Sequence, residues 1–405
     1  MLTIKIIFRN ILRQKRRSFL TCLMSSAGFV LISICMGVAD GSYVGIIDLI
    51  TRDQTGHVQI HKKGYLDKPS LYNTMNNSDS IIKKLNSSGF ASALAPRVYS
   101  SVLAFAGKKT AGIRITGIDP KMESRTTRIK LKVAKGRFLS KTPANEVLVS
   151  DSLSKALNLG LNDELILIGQ AADGSIANDR FVVVGINSGE GVGFSGMSCY
   201  MHIKTAQEFF FLSHRIHEIA IILHEHAKSK KIAKLLSKEL NDSSLDVEPW
   251  QVIKKEFYQA MQANLRGERL SFIILMIVVG TGILDTVIMT ILERTPEFGL
   301  LKAMGTRPEV LLKFILGETM ALSCMGIFCG FIIAFAANII LAKYGIHLPE
   351  PFYFGGVYIT KIESVISSHI FLTPAVLVFA TALAASVFPA CRAAYMTPIK
   401  AINAG

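Results

Sequence analysis

The sequence predicts a membrane α-helical protein: four transmembrane helices, with a large α+β domain between helices 1 and 2. Three observations predict it. Half of the 405 residues are hydrophobic and the mean hydropathy is +0.38, which is high for a soluble chain of this length. Four runs, 19–39, 270–292, 310–341 and 371–391, are nearly free of charge. Each is long enough to cross a hydrocarbon layer, which takes about 20 helical residues. The polar majority lies in one block, 42–268, between the first and second runs.

The formal net charge of +15 is unevenly placed. Lys5, Arg9, Arg13, Lys15, Arg16 and Arg17 precede the first run with no acidic residue among them. Positive-inside bias puts that end in the cytoplasm. Because a span follows directly, the basic run reads as a topological signal, not as a nucleic-acid patch. Ile4, Ile7, Phe8, Ile11 and Leu12 form an apolar stripe, so 1–18 is expected to lie along the inner membrane surface as an amphipathic helix. The first run has no clear small-residue cleavage site and reads as a signal anchor. Counting from there gives transmembrane helix 1 at 19–41 and the 42–268 block outside. Helix 2 at 269–292 returns to a cytoplasmic segment, 293–308. Helix 3 at 309–342 leads to an outer loop, 343–370, and helix 4 at 371–391 to a cytoplasmic tail, 392–405.

In the 42–268 block, T-G-H-V-Q-I-H at 55–61 alternates like a strand. Strands are also predicted near 101–106, 112–117, 146–150, 164–169, 180–185 and 219–223, bounded by Gly, Asn and Asp. Helices are predicted at 76–86, 151–157 and 228–241. The mixture indicates an α+β domain.

The stretch 293–308 reads E-R-T-P-E-F-G-L-L-K-A-M-G-T-R-P. Thr295-Pro296-Glu297 has the makings of a helix start. Phe298, Leu301 and Met304 share one helical face, and Gly305 suits a stop. Thr306-Arg307-Pro308-Glu309 has capping-box spacing and starts the next helix. A short separate helix is therefore expected between two spans. Gly37 and Gly41, and Gly326 and Gly330, have the small-xxx-small spacing that lets helices approach closely. Asp285 and Glu318 fall at membrane depth, where acids face a bundle interior or a wet cavity. They are read as interhelical hydrogen-bonding groups.

Several motifs carry little. Of the six cysteines, Cys22, Cys35, Cys324, Cys329 and Cys391 lie in or at the spans, leaving Cys199 alone in the polar block. That block therefore has no internal disulfide, and there is no C-x-x-C metal pattern. His214, His217, His224 and His226 cluster in sequence, and exposed polar positions explain them better than a metal site. Gly191 to Gly196 matches G-x-G-x-x-G, but a strand pattern follows where a helix is required. The absence of G-x-x-x-x-G-K-[ST] means that the chain has no phosphate cradle of its own for ATP.

The E-R-T-x-E-x-G-L-L-K-A-x-G phrase resembles the cytoplasmic coupling segment of ABC permeases of the MacB/FtsX type, which include the lipoprotein-release permeases LolC and LolE. R-N-I-L-R-Q-K-R-R before the first run is similar to that family's amphipathic lead-in helix. T-G-H-V-Q-I-H-K-K-G-Y-L-D, A-P-R-V, T-G-I-D-P and A-D-G-S-I-A-N-D-R-F-V-V-V-G-I resemble the LolE-like external domain. A-A-Y-M-T-P-I-K-A-I is similar to the family ending. The resemblance implies a permease of the bacterial inner membrane, its 42–268 domain periplasmic, working as a homodimer or heterodimer. It implies a partner ATPase holding ATP and Mg and docking on Glu293, Arg294, Glu297, Phe298, Leu301, Lys302 and Arg307. No catalytic residues, cofactor or metal are expected in this chain itself. The implied cargo is a lipoprotein or membrane lipid, and the family's periplasmic carrier would meet 169–180, which here is short and lacks proline. An FtsX-like transmitter to a periplasmic hydrolase, or a MacB-like peptide or drug efflux permease, are the other readings.

Overall fold

The computed structural model describes residues 15–76, 78–188, 196–225, 228–354 and 357–397. The described parts form two compact units. Among the described residues, one is built from 15–44, 262–350 and 360–397, the other from stretches within 45–261 and 351–359. The N-terminal apolar stripe, Ile4 to Leu12, and the basic residues Lys5, Arg9 and Arg13 lie outside the described residues.

Helix α1 (Lys15–Ile50) passes into a π-type turn over Thr51–Thr55. In chain order there follow β1 (Val58–Lys62), α2 (Ser78–Ser87), β2 (Ala91–Ala106), β3 (Lys109–Ile118) and α3 (Pro120–Thr126). Next come β4 (Val133–Gly136), β5 (Glu146–Ser150), α4 (Asp151–Leu157), β6 (Glu164–Gln170) and β7 (Ile176–Asn187). Then β8 (Ser198–His202), α5 (Ile203–Phe209), β9 (Glu218–Leu223), α6 (Ser229–Leu240), β10 (Leu245–Pro249) and α7 (Trp250–Ile253) complete the mixed unit.

The strands make one ten-stranded sheet in the order β10-β1-β9-β2-β3-β8-β5-β7-β4, with β6 pairing β2 and β7. Most pairs are antiparallel; β3–β8 and β5–β7 are parallel. The α+β expectation holds; β4, β10, α3, α5 and α7 add to the predicted elements, and two of the predicted strands differ in their bounds for a clear reason. The first strand starts at Val58 because Thr51–Thr55 is wound, and Thr51 and Thr55 donate their hydroxyls to the Ile47 and Ile50 carbonyls. β2 runs 16 residues, far beyond the predicted 101–106. Its first half contains Pro96, opposite Ile219, and proline removes a ladder donor, so this stretch does not read as a strand.

Alternation decides the two faces of this sheet. Val58, Ile60, Val98, Ile113, Ile115, Val147, Val149, Cys199, Met201, Ile219 and Ile221 belong to one buried apolar cluster, and α2, α4, α5 and α6 add Leu85, Leu153, Phe209 and Leu236 to it. The alternate residues Gln59, His61, Arg97, Thr116, Ser198 and Glu218 are also buried, on the opposite face.

Helices α8 (Lys255–Ala303) and α9 (Pro308–Tyr344), a hairpin of β11 (Ile346–Phe354) and β12 (Val357–Ile362), and α10 (His369–Tyr395) complete the chain. Four helices, α1, α8, α9 and α10, are long and apolar enough to cross a membrane. Their shared core includes Phe29, Ile32, Val279, Ile283, Phe298, Ile315 and Val378. The 343–370 segment, expected as a loop, contains the hairpin.

The separate short helix expected at 293–305 does not form. α8 continues through Pro296 to Ala303 as one helix. Thr295 is not a cap, since its hydroxyl donates to the Ile291 carbonyl at 2.7 Å. Burial of Arg294, Thr295 and Phe298 outweighs the lost N–H of one proline. The stop at Gly305 does form, with φ at +92°. The Thr306 N–H donates to the Leu301 carbonyl and the Gly305 N–H to the Lys302 carbonyl, each at 3.0 Å, which is the Schellman arrangement. The Thr306 capping box does not form either. Arg307 is the N-cap residue of α9 and makes no side-chain cap bond. Pro308 takes the first helical position, so the boundary falls at the residue before it.

Candidate functional site

The end of α8 brings together most of the residues that the sequence singles out. The Arg294 Nη1 donates to Glu318 Oε2 on α9 at 2.8 Å, and its Nε to Glu297 Oε2 at 3.2 Å. The guanidinium carbon stands 5.1 Å from the Phe298 ring centre and 5.3 Å from that of Phe314, close enough for cation–π attraction. Arg294, Glu318 and Phe298 are all buried. Arg294 and Phe298 therefore serve as internal packing between α8 and α9. This corrects the expectation that Phe298 is an exposed anchor with Leu301 and Met304 beside it. Pro296 does not start a new helix, so the facing of the last turns is inherited from the span.

Two further charges of the stretch are engaged inside the same unit. Glu293 pairs with Arg17 of α1. The Lys302 Nζ donates to the Ala394 carbonyl at 2.8 Å and also to the Met396 carbonyl. A cation at the last carbonyls of α10 complements that helix end. Exposed to solvent or to a partner are Glu297, Leu300, Leu301, Met304 and Arg307. Leu300 and Met304 are 59% and 68% exposed. The available surface is thus an apolar strip edged by charge, without its aromatic.

The two membrane-depth acids separate. Glu318 of α9 accepts from Arg294 of α8. Asp285 makes no interhelical bond among the described residues: it is exposed on α8, between exposed Val278 and Met289. The four packing glycines all sit against other chain segments. A Cβ on Gly326 would lie 2.6 Å from the Cys22 carbonyl oxygen, and one on Gly330 3.0 Å from that of Ser26. A Cβ on Gly37 would meet Asn338 Oδ1 at 2.2 Å, and one on Gly41 the Glu363 carbonyl at 2.2 Å.

The sequence reading misses a second polar knot. Asn338 Nδ2 donates to the Ala334 carbonyl at 2.9 Å and to Ser33 Oγ at 3.4 Å, while Ser364 Oγ donates to Asn338 Oδ1 at 2.6 Å. An amide inside the apolar run 310–341 is the signal that marks it.

The histidines do not converge. His217 is fully buried, with Nδ1 accepting from the Tyr99 N–H at 3.1 Å and Nε2 bonding the Leu71 carbonyl at 3.2 Å. Burial lowers its pKa to about 4. This corrects the reading of His217 as an exposed polar position, whereas His214 and His224 are exposed. His226 and Gly191 to Ser195 lie outside the described residues. No group of three or more metal-ligating side chains occurs among the described residues. Cys199 is completely buried, which raises its thiol pKa.

No curated protein sequence matches the chain. The periplasmic region of MacB from Actinobacillus actinomycetemcomitans is similar at 19% identity, with a TM-score of 0.38, covering 52% of this chain and 97% of that one. The extracellular domain of the noncanonic ABC-type transporter YknZ from Gram-positive bacteria is similar at 12% identity, TM-score 0.34, covering 47% and 98%. Residues 269–398 match the family described as FtsX-like permease C-terminal. The part of the chain that holds Arg294, Phe298, Lys302 and Glu318 is thus similar in sequence to that domain.

Proposed function

We propose that this chain is the membrane subunit of an ABC transporter of the MacB/FtsX type, driven by an ATPase on another polypeptide. The single observation that carries the reading is the family match over 269–398. An FtsX-like permease is a transport component and not itself an enzyme. The lack of a phosphate-cradling motif in the chain agrees with ATP and Mg being held by the partner.

The proposed docking surface is the end of α8 and the turn that follows. Its exposed residues are Glu297, Leu300, Leu301, Met304 and Arg307. Arg294 and Phe298 stiffen it from beneath, and Lys302 ties it to the end of α10. A partner pressing on this strip would move a helix that is continuous from Lys255 to Ala303. The E-R-T-P-E-F-G-L-L-K-A-M-G phrase supports this assignment, and the LolE-like phrases of the mixed unit favour a lipoprotein cargo drawn from the bacterial inner membrane. In this reading the mixed unit is periplasmic, and a second permease copy completes the machine. Asp285 supports a second copy: an acid exposed on an apolar helix gains from a protein neighbour.

Co-purification tests the docking. Leu301→Asp with Met304→Asp alters two exposed side chains and should leave folding intact. Loss of a co-purifying ATPase, with normal membrane yield of the permease, is the expected outcome. ATPase retained at the wild-type level would remove this strip as the docking site. Exchanging Lys302 for Glu is not a clean test, because it would also strip the α10 end of its cation.

A further inference from the structure

The polar face of the ten-stranded sheet encloses a cavity of about 570 Å³, lined among others by Gln54, Tyr65, Arg97, Arg114, Ser198 and Lys254. This volume is in the range of small-molecule sites, roughly 300–1,000 Å³. β1 and β8 alternate: Val58, Ile60, Cys199 and Met201 fill the core, and Gln59, His61, Ser198 and Tyr200 point the other way, joined by Arg97, Thr116 and Glu218 of β2, β3 and β9. That face would ordinarily meet water. Here it is covered.

The charges on the cavity wall are unevenly satisfied. Arg97 is held on all sides: Nη2 and Nε donate to Glu123 at 2.7 and 3.1 Å, and Nη1 to Glu218 at 2.8 Å. Tyr99 adds its hydroxyl to Glu218 at 3.2 Å. Asp53 pairs with Lys132. Arg114 and Lys254 have no ion pair among the described residues, and burial first, then the Arg114 charge, lowers the Lys254 pKa. Arg97 with its two glutamates leaves one negative charge, and Arg114 with Lys254 adds two positive ones. The lining residues together with Lys132 thus sum to one positive charge, with Glu256, outside the lining, also acting on Lys254.

The wall also carries buried polar atoms without hydrogen-bond partners among the described residues: Ser198 Oγ, Gln54 Oε1 and Asp53 Oδ1. Buried polar atoms are rarely left so. The set mixes a donor with acceptors, and hydroxyl groups, which both donate and accept, match such a set. Burial raises the pKa values of Tyr65 and Tyr200, so both line the cavity as neutral phenols.

We propose that this cavity binds a monoanionic polyol of the glycerophosphodiester class, its charge held by Arg114 and Lys254 and its hydroxyls by Ser198, Gln54 and Asp53. An arginine fork beside an ammonium suits a phosphodiester oxygen pair. A chain with four membrane-length helices meets this chemistry as a phospholipid headgroup or as its free deacylated form.

The test uses the full chain in phosphatidylcholine nanodiscs, with glycerophosphoglycerol as probe in a calorimetric titration. Saturable binding is expected, with glycerol and inorganic phosphate each binding at least about tenfold more weakly. Arg114→Ala with Lys254→Gln should weaken the probe by about tenfold or more, at an unchanged melting temperature. Ser198→Ala should weaken it severalfold while keeping the phosphate contribution. Repeating the titration in phosphatidylglycerol nanodiscs separates the sources: competition identifies a lipid headgroup, and an unchanged affinity identifies the free diester. No saturable binding, or equal binding by the folded Arg114/Lys254 variant, would overturn the proposal.

Discussion

Arg294 and Glu318 form a buried ion pair at 2.8 Å between α8 and α9, beneath the Phe298 ring. It joins a residue that the sequence places in a cytoplasmic segment to one that it places in a membrane helix. Both side chains are about one-tenth exposed, 9% and 10%. Removing one partner of such a pair strands the other charge, whereas replacing both with apolar groups can cost little. Glu318→Gln leaves Arg294 with the half-exposed Glu297 as its remaining carboxylate, and is expected to destabilise the detergent-solubilised chain by about 2 kcal/mol. The double change Arg294→Met with Glu318→Leu should recover most of that. Thermal melts of the wild type, both singles and the double check it; additive losses would show that the pair is not coupled.

The glycine contacts make a contrast between two similar substitutions. Gly41→Ala would drive a methyl into the Glu363 carbonyl, while Gly267 has nothing within 4 Å. Gly267→Ala in mid-helix should be neutral or stabilise by up to about 1 kcal/mol. Gly41→Ala should lower the melting temperature, since backbone cannot yield as a side-chain tip does. Equal effects of the two changes would count against close packing at Gly41.

His217 makes the stability of the mixed unit depend on pH. The neutral ring accepts from the Tyr99 N–H through Nδ1, and a second proton would abolish that bond. Its folded pKa is lowered to about 4, so the unfolded chain takes up the proton first as the pH falls. The stability is therefore fully present above about pH 6.5 and is lost progressively toward pH 4, by about 3 kcal/mol for this residue. Trp250 is the single tryptophan and is buried in this unit, so its fluorescence reports the transition. Urea titrations at pH 7 and pH 5 should differ, and less so for His217→Gln. An identical pH dependence in the variant would exclude His217 as the cause.

Cys199 is expected to resist thiol reagents. It lies at 0% exposure in the sheet core, and burial raises its thiol pKa. A membrane-impermeant maleimide should leave it unmodified in the native chain and modify it fully in urea. Topology is better read from Ile176→Cys and Arg307→Cys, since Ile176 is 79% exposed and Arg307 is also exposed. Labelling of the first from outside intact spheroplasts, and of the second only after lysis, is the outcome that the charge bias predicts. The reverse pattern would invert the orientation.

Features set by local pattern can be read along the chain. Hydrophobic runs, helix-stopping Gly305 and strand alternation act over one to a few turns, and each is legible along the chain. β5 and α4 coincide with their predicted bounds, 146–150 and 151–157. Tertiary structure alone decided which side of each element is covered. The local start signal at Thr295-Pro296 yields to the burial of Phe298 against α9, so the helix runs through. The same packing takes Arg294, Lys302 and Glu293 into internal pairs with partners on three other helices: Glu318, the end of α10, and Arg17. It leaves Asp285 outside. The polar side of β1, β2, β3, β8 and β9 reads in sequence as a solvent face. Only the way distant segments fold beside it makes it a charged, half-open cavity, because a concave wall is a property of contacts between elements far apart in the chain.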